Sequence, residues 1–250
     1  MTSRWPELPD ESATGAPKPL PLPPTLRGAL RSSISDFYFN SWRLVPANLL
    51  WGLGLALVYL AVLAWWPLAA LISPLLCLPL VSMHRIGGRI VRGGDVSLSD
   101  GLHAWREVGL GAVVVGAIAL IAGGVMLANL VGGLQSADVI GVAFATLAAW
   151  GLVIGWAWLC TFWPIVGDPD RAASGLRSNA RVAAYLLIAH PVRLGSLAVL
   201  LAVLYVASTI VFAALVTVSL AFGAVVGCRY VLPAADRLEA QMAQRNASSG

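Results

Sequence analysis

Polar and apolar positions along this chain fall into long separate blocks rather than a short repeat. No Asp, Glu, Lys or Arg occurs from Leu44 to Met83 or from Leu194 to Cys228, and Asp138 is the only charge from Val108 to Gly167. A helix on a soluble protein keeps a wet face, so its charges recur every turn or two. These blocks have no such face. Because about 20 apolar residues cross a hydrocarbon core about 30 Å thick, the pattern predicts an all-α, polytopic transmembrane helix bundle.

The blocks divide into spans at their breakers. Span 1 is expected over 45–66, opening at Pro46 and closing on Trp65 and Trp66, aromatic residues suited to a membrane interface. Span 2, over 67–83, holds Pro67, Pro74 and Pro79, and each interior proline deletes a helix hydrogen bond. It should therefore be kinked or partly broken. Spans 3 (108–134) and 4 (139–166) meet at the turn Gln135 to Asp138. The run from Leu194 to Leu232 would extend nearly 60 Å as one helix, about twice the hydrocarbon core. It reads as two spans turning near 207–214, although that turn lacks Gly, Pro or Asn. Six spans are expected, with five as the alternative.

Amphipathic segments precede spans 1, 3 and 5. Residues 27–43 combine Phe37, Tyr38 and Trp42 with Arg27, Arg31 and Arg43, and read as a helix lying in the membrane interface. Residues 84–107 read as a basic loop, including the glycine-flanked stretch Gly87 to Asp95, followed by a second interfacial helix. Residues 168–193 form the third. SDFYFNSWR at 35–43 is close to SDGLHAWR at 99–106, which suggests a weak three-fold repeat. Flanking these spans, residues 1–26 read as a disordered, proline-rich cytoplasmic tail rather than a signal peptide, and 234–250 as a cytoplasmic C-terminal tail. The transmembrane domain occupies 27–233.

Composition agrees with this reading: 58% of residues are hydrophobic and only 11% charged, against about 25% charged in soluble domains. With six spans, every Lys and Arg lies on one side, which the positive-inside rule makes the cytoplasm, so both termini are expected inside. The net charge of +4 is thereby explained by orientation, and a nucleic-acid partner is excluded. Cys77, Cys160 and Cys228 are too widely spaced for a disulfide framework or a CxxC site, and read as core filling.

Candidate chemistry is sparse. Ion-coupled pumps and membrane enzymes usually carry ionisable groups in mid-bilayer, and no span centre holds one. No catalytic, metal-binding or cofactor-binding set emerges, so the chain is not expected to be an enzyme. Asn48, Trp51 and Asn129 are the candidates for solute contact or for polar helix–helix contact. Arg85, Arg89, Arg92, Arg106, Arg177, Arg181, His190 and Arg193 are candidates for binding a cytoplasmic partner or anionic lipid. Asp168 and Asp170 flank Pro169 and read as caps for a helix beginning near Arg171. Gly151 with Gly155, and Gly223 with Gly227, have the spacing that lets membrane helices approach closely.

Asn48-Leu49-Leu50-Trp51, the proline-bearing span 2 leading to Gly-Gly-Asp, Trp163-Pro164 with Asp168, and Ala189-His190-Pro191 together resemble the YesL family of bacterial multi-span membrane proteins. The likeness covers about residues 35–232. It implies a protein of the bacterial cytoplasmic membrane that assists carbohydrate uptake, with no catalytic residues to carry over. The functional expectation is a non-enzymatic accessory or scaffold to a membrane transport system, in contact with the bilayer and with transporter subunits or copies of itself. The alternative is a transporter or channel for a neutral small solute.

Overall fold

A computed structural model describes residues 22–136 and 138–249, and among these the regular structure is entirely helical. Most of the proline-rich segment lies outside the described residues. Six helical stretches are long and apolar enough to cross a membrane.

The elements pair as three helical hairpins, each with a long first arm. α1 (Leu26–Ala64) returns through α2 (Trp66–Ile72), a 3-10 turn (Ser73–Leu76) and α3 (Cys77–Arg92). α4 (Leu98–Gln135) returns through α5 (Val139–Gly167). α6 (Leu176–Ala189) and α7 (Pro191–Ile210) together form the third arm, which returns through the single turn α8 (Phe212–Ala214), a π-helical turn (Leu215–Ser219) and α9 (Leu220–Ser249).

The segments before spans 1 and 3 do not lie as separate interfacial helices. α1 runs unbroken for 39 residues and α4 for 38, lengths of nearly 60 Å at 1.5 Å per residue. Good capping starts both: Thr25 accepts from the Gly28 N–H, and Ser97 and Asp100 form a reciprocal capping box. Nothing afterwards stops either helix, since Pro46 sits inside α1 without ending it. The third segment does break. Proline disfavours helical geometry in the preceding residue, and His190 takes φ −134° and ψ 57° between α6 and α7.

Span 2 is irregular as expected, with Pro74 in the 3-10 turn that divides α2 from α3. The last hairpin turns within 207–214, at Val211 (φ −109°, ψ 79°). Two expectations fail at the charged end. Residues 84–92, read as loop, continue α3 as helix, which stops only at Gly93 in the left-handed region (φ 71°). The C-terminal segment, read as a tail, continues α9 to Ser249, with Ala234 and Ala235 buried.

The core explains both corrections. Gly87 lies against Cys228 and the Ala224 carbonyl, and Gly88 against Pro169 and the Gly167 carbonyl. These two glycines let α3 sit close to α9 and α5, a packing use of small residues typical of membrane bundles. Alanines 29, 104, 112, 183, 221 and 224 are buried, while Leu110 and Ile210 are 82% and 84% exposed. Large residues such as Phe162, Leu44 and Met83 are buried as well, but so many large apolar side chains are exposed that hydrocarbon is the solvent that suits this surface.

Candidate functional site

The charged residues meet at one end of the bundle, where α3 and α5 finish and α9 passes them. Asp168 follows α5 and is fully buried. Its carboxylate caps the short 3-10 turn Pro169–Arg171 by accepting from the Asp170 N–H, whereas the helix expected near Arg171 begins instead at Leu176, after Gly175. It also accepts from Arg92 Nε (3.2 Å) and Nη2 (2.5 Å), and from Arg171 Nε (3.2 Å). Arg92 continues to Asp236 on α9 through Nη1 (2.6 Å) and Nη2 (3.0 Å), and reaches Asp170 at 3.1 Å. Arg171 donates to Asp236 at 2.8 Å and to Glu239. Two guanidinium groups thus tie three helical elements together through four carboxylates. Burial of Arg171 works against its charge, but the bonds it donates to Glu239 and Asp236, with the attraction of those two charges, together outweigh that and hold its pKa above the ordinary arginine value.

The remaining predicted arginines divide into two groups. Arg85 is buried and pairs with Glu107, while Arg89 reaches Asp100 at 3.4 Å and the Asp95 carbonyl at 3.3 Å. Arg193 donates to the carbonyls of Pro24 (3.0 Å) and Tyr230 (3.1 Å) and stacks over the Tyr230 ring. Arg229 closes the same end by pairing with Asp36 of α1. These groups hold the bundle itself. Arg106, Arg177, Arg181 and His190 are exposed, so they are the members of the predicted set available to a partner or a lipid headgroup.

Asn48, Trp51 and Asn129 do not come together. Asn48 is fully buried and its Nδ2 donates to the Val216 carbonyl, while its Oδ1 accepts from the Ala221 N–H at 2.8 Å. Residues 216 and 221 are five apart, the spacing of a π-helical hydrogen bond. The Asn48 carboxamide therefore stands in for one rung of the π turn. Trp51 is half-buried beside the Leu44, Met83 and Leu220 cluster. Asn129 lies on the exposed face of α4. None of the three lines a shared path.

A cavity of about 340 Å³ does exist inside the bundle, where the sequence gives no hint of one. Its wall is mainly apolar and includes Trp156, Trp163, Tyr205, Cys77, Cys160 and His84. Trp156 donates its indole N–H to the Ala198 carbonyl at 2.9 Å, which fixes the ring. The cysteines are free thiols. A second hollow of about 390 Å³ lies between α4 and α5, and Ala119, Trp156 and Leu159 border both spaces. Of the small-residue pairs, Gly223 and Gly227 are filled by Tyr205 and Pro164, whereas a side chain at Gly155 would meet open space.

Comparison of the chain with family models, with curated proteins and with solved structures finds no match.

Proposed function

We propose that this chain is a non-catalytic accessory or scaffold of a membrane transport system, seated in a bacterial cytoplasmic membrane with its charged end in the cytoplasm. The observation that carries this reading is the division of labour among the basic residues. Arg85, Arg89, Arg92, Arg171, Arg193 and Arg229 are tied internally to carboxylates or carbonyls, while Arg106, Arg177 and Arg181 face outward. A rigid end that displays a few free guanidinium groups suits docking, because little ordering entropy remains to be lost on association. A carrier for a neutral solute would need polar groups along a path, and Asn48 is already committed to backbone while Asn129 points outward. The resemblance to the YesL family agrees with this reading.

The test is gentle-detergent purification from native membranes of the wild-type chain and of the triple variant Arg106→Gln/Arg177→Gln/Arg181→Gln. A transport subunit retained by the wild type and lost from the variant supports docking. A partner-free wild type, or solute uptake by vesicles holding the pure chain alone, refutes it.

A further inference from the structure

The geometry points to an intramembrane binding site for a hydrocarbon-tailed molecule with a hydroxyl head, with His84 as the acceptor of the head's hydrogen bond. His84 is more than nine-tenths buried and lines the internal cavity. Its Nδ1 lies 2.9 Å from the Leu80 carbonyl. A carbonyl only accepts, so Nδ1 carries the proton and the neutral ring keeps its lone pair on Nε2. Nε2 receives no hydrogen bond from the described residues, and His84 is among the residues that line the cavity. A buried acceptor in an apolar chamber favours a ligand that brings a donor, because an unmade bond there is costly.

The route for the tail is the hollow between α4 and α5. Ala119, Trp156 and Leu159 border both that hollow and the chamber. A Cβ added at Gly123 or Gly155 would meet nothing within 4 Å, which leaves a lane from the chamber toward the exposed apolar faces of the two helices. Ile118 and Ile154 on those faces are exposed. The occupant is thus recognised twice: a hydroxyl at Nε2, and an unbranched or isoprenoid chain along the glycine lane. Membrane quinols and long-chain alcohols share this chemistry.

The full chain in phosphatidylcholine nanodiscs should be titrated, at matched mole fractions in the bilayer, with reduced dodecylhydroquinone, with hexadecanol and with dodecylbenzene, which has no hydroxyl. Saturable binding of dodecylhydroquinone at least tenfold tighter than dodecylbenzene is expected. His84→Leu should erase that difference, and Gly155→Leu should weaken the hydroquinone at least fivefold by filling the lane. Hexadecanol matching the hydroquinone identifies an aliphatic alcohol as sufficient, and hexadecanol failing identifies an aromatic head. Equal binding of dodecylhydroquinone and dodecylbenzene overturns the proposal, as does discrimination that survives His84→Leu or binding indifferent to Gly155→Leu. Should His84→Leu not fold, the wild-type comparison and Gly155→Leu still decide.

Discussion

Replacing Asp168 by Asn keeps the side chain's shape and removes its charge. The carboxylate is fully buried and accepts from two guanidinium groups, one of which, on Arg171, is itself only 7% exposed. Removing one member of a buried ion pair costs about 3–5 kcal/mol. Here the loss is softened because Arg171 keeps Asp236 and Glu239, and Arg92 keeps Asp236 and Asp170. An amide oxygen also still accepts one bond. The expected destabilisation is therefore about 2–3 kcal/mol, below most of that range. Reversible unfolding in mixed micelles, followed by circular dichroism as the mole fraction of dodecyl sulfate rises, measures it. A change below about 0.5 kcal/mol for Asp168→Asn, the scatter of ordinary surface substitutions, would refute the claim that this network locks α3, α5 and α9.

Three further outcomes are expected. Asn48→Leu leaves the Val216 carbonyl and the Ala221 N–H without their side-chain partner, so it should cost about 2–4 kcal/mol and speed amide exchange at 216–221 more than elsewhere. Gly167→Ala places a methyl 2.6 Å from His84 Cβ and 2.8 Å from its carbonyl carbon; this overpacking should destabilise by about 1–3 kcal/mol, while Gly124→Ala, with open space around it, should cost nothing in the same unfolding assay. Arg177→Gln, at an exposed position, should leave stability within about 0.5 kcal/mol, so a larger loss would mean that this arginine also serves the interior.

The spans were legible because charge exclusion is a one-dimensional signal. The last hairpin followed from helix length and sidedness even though Val211, which makes the turn, is a poor turn residue by composition. What the sequence concealed depends on distant partners. Gly87 and Gly88 look like loop residues until Cys228 and Pro169 are seen against them. Asp168 reads as a cap, but its pairing with Arg92, and through that guanidinium its link to Asp236, joins residues 76 and 68 positions away, which no local spacing encodes. The arginines of the charged end carry equal weight as candidates in the sequence, and only burial separates Arg85 from Arg106. The cavity is invisible in sequence because it is a property of what neighbouring helices fail to fill.

The insertion of Asn48 into the π turn binds the earliest helix of the bundle to the latest. During synthesis α1 is made long before residues 216–221 exist, so the two bonds of its carboxamide to Val216 and Ala221 form only when the final arm arrives. Completion of the chain and the locking of the first membrane crossing against the last are thus one event.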